Sequence, residues 1–545
     1  MAALFTTAAD NSLYLLSIAA QPPGGAETTG RSDFGDLCWG EDPAPLDTIV
    51  NTVEELRYAS GEYRTLPDDT PANQEWPQRL NLPLALSRAL PLAPGSPGIV
   101  ALQFGEIELQ NADGALDQIV QTYGVDGRAV TLRRIAPGAS IDDAVTVFTG
   151  AAYGWALADR FKVVLAVRGQ AHRLEVAQQP SLYAGTGLGE GDADLKNLPR
   201  PLAFGWCQNV TPRRVLAFDL LFQVHDGQVQ DISMVYDGGV ELTPGDDYAT
   251  LTLLLAASTT AGEFDTCLAE GFFQLGSNPV YDVTADVEGD APSGVFAADS
   301  ATIAERLLLR AGIDGGDIDG DAFDALATLQ AAPVGYYIRD GVSAAVAIAD
   351  LLGGIGAFLS ETALGKFTVE RLEAPTSSTD TLDDGAYFDV GVAALPEEVT
   401  PTIWRLGATW AVNWTPQAIQ LDAANVPPAR LAFINVDARV AVAFDTDRQA
   451  FYRQAHDYLG ASPPVRAFFR DEADALAEAE RLLALWAPGR QILSLPVQSP
   501  DLERDIGDQM TVYADRYGMN DGVVCRVFGY AFDTSTRRLV LNVLR

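Results

Sequence analysis

The sequence predicts a β-rich protein of the α+β class that is divided into several domains. At about 100 to 200 residues per domain, its 545 residues correspond to roughly three to five domains. Short runs that alternate apolar and polar residues recur in the first and last thirds of the chain. Gly, Pro and Asp separate these runs, which is typical of strands in a barrel or sandwich. Between residues 300 and 372 the apolar spacing changes to the period of helices.

These patterns divide the chain into successive parts. They are an extended, turn-rich β segment (1–97), a first β-barrel domain (98–180), a linker with a β-rich domain (181–298), a small α+β module (299–375) and a C-terminal β-rich domain with one long helix (390–545).

Strands dominate the prediction for residues 1–180. Leu13–Ala20 is a predicted strand, and Gly61–Leu80 predicts an extended segment with turns because Pro and Asp are closely spaced in it. The Asp159-Arg160 pair suits a tight hairpin between two later strands. The strands predicted after residue 97 are Gly98–Leu109 with a bulge at Gly105, Gly127–Ile135, Ala144–Ala158 and Phe161–Gly169.

The middle of the chain predicts strands first and then helices. Ser300 or Thr302 is the expected N-cap of the first helix, Gly312 is its expected stop, and a hairpin turns at Ala363–Lys366. The predicted strands are Val215–Val224, Val229–Leu242 and Gly271–Gly276, and the predicted helices are Ser300–Ala311, Ala322–Gln330 and Ser343–Leu352.

One long helix, Asp471–Trp486, is predicted within the C-terminal β-rich part. Acidic residues crowd its first turn, where they complement the helix dipole, and Pro488-Gly489 end it. Alternating runs after residue 489 predict strands up to the end of the sequence.

The amino-acid composition and net charge exclude several classes of protein. A hydrophobic fraction of 48% and a charged fraction of 20% exclude a disordered or collagen-like chain. Acidic residues outnumber Lys and Arg by 74 to 36, for a net charge of −38. Phosphate affinity depends on Lys and Arg, so this balance excludes a free nucleic-acid binder and disfavours an anionic membrane surface.

The sequence predicts synthesis in the cytosol without stable membrane anchoring. Its start lacks the basic region of a signal peptide, and no apolar run approaches the ~18 residues of a transmembrane helix. Four cysteines, Cys38, Cys207, Cys267 and Cys525, lie too far apart for a disulfide framework. Buried small hydrophobes are their expected role, with an iron–sulfur cluster as the alternative.

Two motifs hint at ligands but depart from the required spacing. Gly185-Thr-Gly187-Leu-Gly189 has GxGxG in place of GxGxxG, and the residues after it do not suit a helix, so a flexible loop is favoured over a phosphate site. The acids Asp314, Asp317, Asp319 and Asp321 resemble a calcium loop. That loop needs Gly and Glu where Ala322 and Thr328 stand, so a capping linker is favoured over a cation site.

The three histidines and three closely spaced tryptophans are further candidates for a binding or catalytic site. His172, His225 and His456 have no metal-ligand spacing, and no GxSxG elbow accompanies them, so each is expected to be a surface or hydrogen-bonded histidine. Trp404, Trp410 and Trp414 suit either a sugar-binding platform or a core strand, and alternation favours the core. We therefore assign no catalytic, cofactor-binding or metal-ligating residue, and no enzyme activity is expected.

Several segments resemble the hub proteins at the tail tip or baseplate of long-tailed phages and related gene-transfer particles. The most specific is Leu195–Pro212, a structural signature without catalytic content, and Leu220–Leu242 follows it. The resemblance covers nearly the whole chain beyond about residue 50. Further matching segments are Gly61–Leu80, Phe104–Gln118, Val147–Ala156, Cys267–Ser277 and Arg405–Thr415.

This resemblance implies two tube-like β-barrel domains per chain and a homotrimer with a pseudo-sixfold ring on the tail axis. It also implies a hub that joins the tail tube, or a distal tail protein, to tail fibres or other tail-tip proteins. Genome DNA would pass through the ring without specific binding. An acidic channel wall would repel the DNA backbone, and arginines would concentrate at chain–chain contacts. The alternative from another class is a tail-tip adaptor that binds or hydrolyses carbohydrate.

Overall fold

Two large sheets, one built mainly from each end of the chain, organise the fold. The computed structural model describes residues 12–22, 53–400, 402–417, 425–486, 489–499 and 502–545. The elements up to residue 168 are β1 (Leu13–Ala20), β2 (Glu54–Ala59), β3 (Tyr63–Arg64), β4 (Glu75–Trp76), β5 (Leu80–Leu82), β6 (Ala85–Ala89), β7 (Gln103–Phe104), β8 (Ile107–Gln110), α1 (Asp117–Thr122), β9 (Ala129–Ile135), β10 (Val145–Asp159) and β11 (Lys162–Arg168).

The N-terminal sheet has seven strands in the order β2-β1-β9-β10-β11-β8-β5. Its two outer edges meet: the Ala59 N–H donates to the Pro77 carbonyl at 2.9 Å, and the Arg79 N–H donates to the Ala59 carbonyl at 3.1 Å. Apolar side chains from these strands, including Leu16 and Leu132, are fully buried in one core. The sheet thus takes strands from both sides of the boundary expected at residues 97 and 98.

The next part of the chain forms two five-stranded sheets. Its elements are β12 (Leu202–Val210), β13 (Arg213–Leu216), β14 (Leu221–Gln223), β15 (Val229–Asp237), β16 (Val240–Glu241), β17 (Thr243–Asp247), α2 (Leu251–Ala256), β18 (Glu263–Cys267), β19 (Phe272–Leu275) and β20 (Val283–Asp290). One sheet has the order β13-β14-β19-β18-β17.

The helical module follows and completes the other five-stranded sheet. Its elements are α3 (Ser300–Arg310), α4 (Gly320–Leu329), β21 (Gly335–Ile338), α5 (Ala344–Gly353), β22 (Ala357–Glu361) and β23 (Phe367–Arg371). The order of that sheet is β16-β15-β20-β12-β21, so β21 extends a sheet of the preceding part. The boundary expected at residues 298 and 299 therefore does not separate two sheets.

Helix starts and stops agree with the predicted module to within two residues, and one cap differs. The Asp299 carboxylate caps α3 by accepting the Thr302 N–H at 2.9 Å, in place of Ser300 or Thr302. Ser300 is buried, so its side chain is not at the exposed helix start. Gly312 follows α3 with a φ of +81°, as a left-handed stop requires.

The last part returns to strands around one long helix. Its elements are β24 (Thr381–Leu382), β25 (Gly391–Ala393), β26 (Ile403–Trp410), α6 (Pro428–Ile434), β27 (Arg439–Phe444), α7 (Thr446–Phe451), β28 (His456–Asp457), α8 (Tyr458–Ala461), β29 (Val465–Phe469), α9 (Glu472–Trp486), β30 (Ile492–Gln498), β31 (Gln509–Val512), β32 (Val523–Asp533) and β33 (Arg538–Leu544). The predicted helix Asp471–Trp486 corresponds to α9.

The C-terminal sheet has the order β24-β31-β32-β33-β30-β25. One chain segment, Thr381–Ala393, supplies both of its end strands, β24 beside β31 and β25 beside β30. The strand β6 adds to β32, and β7 adds to β6. Between β5 and β8 of the N-terminal sheet, the chain therefore leaves that sheet, joins the C-terminal sheet and returns.

This excursion divides a predicted strand. Gly98–Leu109 was expected as one strand with a bulge at Gly105, but β7 lies in the C-terminal sheet and β8 in the N-terminal sheet. The Gly105 N–H donates to the Ala85 carbonyl at 2.8 Å at the crossing point. No helix in the described part of the chain is long and apolar enough to cross a membrane.

Candidate functional site

The segment Leu195–Pro212, the most specific part of the resemblance, lies at the centre of a sheet. Its strand β12 pairs with β20 on one side and with β21 on the other. Gly205 in β12 has a φ of +63°, and a Cβ there would stand 2.0 Å from the Val334 carbonyl oxygen. Only glycine fits both the backbone conformation and this close approach.

Asn209 ends β12 and holds a buried polar network. Its φ is +54°, a left-handed conformation that asparagine tolerates better than most residues. Its Nδ2 donates to the Asn413 Oδ1 and to the Thr415 carbonyl, both at 2.7 Å. Its Oδ1 accepts from Arg430 Nη2 at 2.7 Å, and its N–H donates to Asp286 Oδ1 at 2.7 Å.

Arg430 extends this network to the neighbouring strand. Its guanidinium carbon lies 3.5 Å from the centre of the Tyr236 ring, and the Tyr236 hydroxyl donates to Asp286 Oδ2 at 2.8 Å. Burial, together with the Asp286 charge, raises the pKa of Tyr236 above its ordinary range. The phenol therefore stays protonated and acts as a donor.

We call these five side chains, Asn209, Tyr236, Asp286, Asn413 and Arg430, the Asn209 junction. They come from β12, β15, β20, the end of β26 and α6, so the junction ties two sheets and a helix together. Asn413 Nδ2 also donates to the carbonyls of Ile434 and Val436 at 3.0 Å. Hydrogen bonds connect each of these five side chains to another part of the chain, so the arrangement fixes elements in position.

The sequence interpretation missed Asn413 and Arg430, although a signal was present. The chain contains the pattern L-x-x-x-W-x-x-N-x-T-P twice, at 202–212 and at 406–416. The structure brings the two copies together: Gln208 and Asn413 form a parallel bridge, and the hydroxyls of Thr211 and Thr415 are 2.6 Å apart. The two copies share five residues at fixed spacing and differ at the positions between them, so the repeat is visible in the spacing and not as an exact repeat.

His225 is a buried structural histidine. Its Nδ1 accepts the Ala203 N–H at 3.0 Å, so the ring proton is assigned to Nε2, which lies 3.3 Å from Asp290 Oδ1. Burial alone would raise the pKa of Asp290, but hydrogen bonds from His225 and Arg306 outweigh it and lower that pKa. Both ring nitrogens of His225 thus interact with other groups of the fold.

The other histidines lie in different environments. His172 Nδ1 is 3.0 Å from the Gly169 carbonyl, and the His456 ring packs edge-on against Tyr458, with 6.2 Å between centres. The structure does not bring the three histidines together. Among the residues the structure describes, no cluster of three or more His, Cys, Asp or Glu side chains is arranged to hold a metal.

The glycine loop closes on itself. The Gly187 N–H donates to the Gly191 carbonyl at 2.8 Å, and the Ala184 N–H donates to the Glu190 carboxylate at 3.0 Å. Glu190 is also 2.7 Å from Arg200. The Glu190 carboxylate therefore occupies the backbone amide that immediately precedes the glycine segment, and the loop is held by contacts within the chain.

The acidic residues 314–321 act as caps and ion-pair partners. Asp314 accepts the Gly316 N–H at 2.9 Å, Asp317 is 3.0 Å from Arg173, and Asp319 accepts from the Thr368 hydroxyl at 3.3 Å. Their carboxylates serve separate partners. Asp319 precedes α4, but its side chain makes no capping hydrogen bond to that helix, so the expected capping of the helix is not observed.

The described cysteines are free and buried. Burial raises the pKa of the thiols of Cys207 and Cys525 to about 12 and that of Cys267 to about 11. They are therefore protonated at neutral pH and poor nucleophiles. Cys38 lies outside the described residues.

Two of the three tryptophans pack into the protein. Trp414 stacks on Phe468, with 5.8 Å between ring centres and 5° between planes, and Trp410 contacts the main core while Arg439 lies over its ring. Trp404 is half-buried. The three rings therefore do not form a shared exposed platform.

Fold and site together describe a multi-sheet β-rich scaffold whose polar clusters hold elements in place. No protein-family model matches the chain, and no curated protein matches it either. The solved structures similar to it include a tail protein from Neisseria meningitidis, with 10% identity and a TM-score of 0.38 over 85% of this chain and 91% of that one.

Two further similar structures are also tail proteins or virion components. The 43 kDa tail protein of a Shewanella oneidensis prophage has 12% identity and a TM-score of 0.32 over 85% of this chain and 94% of that one. A chain in the virion of a gene transfer agent particle has 12% identity and a TM-score of 0.40 over 64% of this chain and 85% of that one. Structures of tail proteins and of a gene transfer agent virion are thus among those similar to this chain.

Proposed function

We propose that this chain is a structural hub protein of a phage-type tail. In this role it sits at the tail tip, joins the tail tube or a distal tail protein to receptor-binding tail-tip proteins, and forms part of the channel through which DNA leaves. The observation that carries the proposal is the excursion of β6 and β7, which fixes the N-terminal and C-terminal sheets to each other within one chain.

Side-chain contacts reinforce this strand exchange. Arg88 in β6 is buried and donates to the Ser360 hydroxyl and to the Glu361 carbonyl, both at 2.8 Å. It also pairs with Asp505, and its guanidinium lies 5.5 Å from the centre of the Tyr530 ring. A chain whose two large sheets are locked in this way transmits force as one body, which suits a hub.

Two sheets whose ends are brought together suit the two tube-like barrels that the resemblance implies. In the N-terminal sheet the edges meet at Ala59, and in the C-terminal sheet the segment Thr381–Ala393 contacts both ends. Three chains with two such barrels each would give a ring with pseudo-sixfold symmetry.

The β10–β11 hairpin supplies a surface for chain–chain contact. Pairing of β10 with β9 ends at Ala151, so within the described residues the edge of β10 beyond that point faces outward. Tyr153, Leu157 and Phe161 are 66%, 40% and 54% exposed there. An open edge with exposed apolar side chains is an aggregation hazard unless a neighbour covers it.

The net charge of −38 fits a channel that DNA passes without binding. Acidic side chains facing the lumen would repel phosphates, whereas a cationic lumen would bind them by releasing counterions. We place Asp and Glu on the lumen and arginines at the contacts between chains.

Light scattering after size-exclusion chromatography tests the assembly. The purified chain is expected to have three times its mass of 58.1 kDa, with more than about 1,000 Å² buried per interface. The variant Leu157→Glu/Phe161→Glu is expected to be monomeric. Phe218→Glu is the matched control, because Phe218 is 95% exposed in the turn between β13 and β14, and it should remain trimeric. A wild-type chain that stays monomeric at high concentration would contradict the proposal.

A further inference from the structure

The strand β27 presents an open edge. It pairs with β26 on one side, and the Asp445 N–H donates to the Trp404 carbonyl at 2.7 Å. Hydrogen-bonded positions alternate along an antiparallel pair, so the N–H and C=O groups of Val440, Val442 and Phe444 point away from β26. Within the part of the chain that the structure describes, these groups have no hydrogen-bond partner.

One face beside this edge is apolar, and the other borders a groove of mixed polarity. Val440 and Phe444 are 40% and 64% exposed, and Val442 lies on the same face of the strand because side chains alternate. On the opposite face, a groove beside α9 is lined by Ala443, Leu483 and neighbouring residues. A strand added to β27 would place alternate side chains on these two faces.

The end of the groove is acidic. Asp445, Asp447 and Glu480 line it, and Asp447 and Glu480 are exposed. Arg448 lies 3.5 Å from Asp445 and offsets one of these charges. The rim therefore favours basic side chains on whatever lies along the edge.

A second copy of β27 matches this rim poorly. Its only cation is Arg439, whose guanidinium already lies 5.5 Å from the Trp410 ring centre and 4.9 Å from the Phe433 ring centre. Pairing two copies would also bring two acidic rims onto one sheet edge. The charges therefore favour a different chain.

We propose that the edge of β27 binds an extended segment of another protein, one that alternates apolar residues with Lys or Arg and adds to the sheet as a strand. Main-chain hydrogen bonds to Val440, Val442 and Phe444 would supply affinity, and the acidic rim would select the basic residues. This surface lies apart from the β10–β11 hairpin, so the proposal does not rest on the proposed trimer.

A labelled eight-residue peptide of alternating valine and lysine is the probe, and fluorescence anisotropy with the full chain is the measurement. Binding is expected for this peptide and not for one in which four valines precede four lysines. Val442→Pro removes an outward N–H and should weaken binding at least about tenfold. Asp447→Lys/Glu480→Lys should weaken it similarly, while leaving the strand edge intact.

The control for net charge is Asp142→Lys/Asp143→Lys, which alters two exposed acids elsewhere and should leave binding unchanged. Far-ultraviolet circular dichroism establishes whether each variant folds. If Val442→Pro does not fold, the binding of Asp447→Lys/Glu480→Lys tests the proposal instead. Three results would overturn the proposal: no binding by the wild-type chain, equal loss in the control, or dimerisation through this edge that Val442→Pro abolishes.

Discussion

Asn209 and Asn413 lie 204 positions apart in the sequence, and a 2.7 Å hydrogen bond joins their side-chain amides. Each begins an Asn-x-Thr-Pro segment at the end of a strand, and the two segments run side by side. The bond therefore links the sheet that contains β12 to the sheet that contains β26. The relative position of these two sheets therefore depends on hydrogen bonds between a few buried polar atoms.

Asn413→Ala is expected to lower the free energy of unfolding by about 2 kcal/mol, because it leaves buried carbonyls and the Asn209 amide without partners. Urea unfolding followed by tryptophan fluorescence measures the change. The control is Asn520→Ala at an exposed asparagine, which should shift stability by less than about 0.5 kcal/mol. Equal stability of the two variants would contradict a structural role for the junction.

The fully buried Glu478 carboxylate should be essential to the packing of α9. It pairs with Arg371 and lies 2.6 Å from Arg481, and its side chain has 0% exposure. Glu478→Gln removes the charge that balances two guanidiniums and should cost about 3 to 5 kcal/mol in unfolding experiments. Glu480→Gln, two residues along the same helix and exposed, should be near neutral, and a similar loss there would refute the assignment.

Glu370 should make stability depend on pH. Burial raises its pKa from 4.5 to about 7, Arg526 opposes the shift, and Asp505 and Asp508 add to it. Because the folded protein holds this proton more tightly than the unfolded chain, stability contributed by Glu370 falls as pH rises from about 4.5 to about 7.

Glu370→Gln should therefore stabilise the protein relative to wild type at pH 8, and the difference should vanish near pH 4. The side chain retains 30% exposure, so the gain is expected to be about 2 kcal/mol. Urea unfolding at both pH values measures it, with the exposed Glu397→Gln as the control. A variant that is less stable than wild type at pH 8 would contradict the prediction.

The buried thiols should be inert in the folded protein. In a Cys38→Ser background, Cys207, Cys267 and Cys525 remain, and their raised pKa values keep them protonated. Ellman's reagent should find no rapidly reacting thiol before unfolding and three per chain in guanidinium chloride. A fast-reacting thiol in the native state would mean that one of these side chains is accessible.

Sequence patterns predicted the elements whose structure depends on residues that are close together in the chain. The extents of α3, α5 and α9 followed from apolar spacing and end signals such as Gly312. A tight hairpin between β10 and β11 was predicted at Asp159-Arg160, but Asp159 pairs with Lys162, so the turn lies one residue later, at Arg160-Phe161. Strand alternation predicted a core position for Trp404 and Trp410; Trp410 contacts the main core, whereas Trp404 is half-buried.

Long-range pairing could not be predicted in this way. Residues 98–109 have a strand pattern throughout, yet the chain crosses between two sheets at Gly105 because β7 finds its partner in β6 and β8 finds its partners in β11 and β5. The pairing of β6 with β32 joins Arg88 to Tyr530, more than 400 positions away, and no local signal specifies that partner. The Asn209 junction also depends on long-range pairing, and the signal for it is the pattern L-x-x-x-W-x-x-N-x-T-P, which the chain contains twice.

The central claim is that this chain is a hub on the axis of a phage-type tail. A cryo-electron microscopy map of the tail tip of the particle that carries it is the most direct measurement. The account predicts three copies around the axis, two barrels per copy in one ring, and an acidic wall facing the channel. Copies placed only at the periphery, or a ring with a net positive lumen, would contradict it.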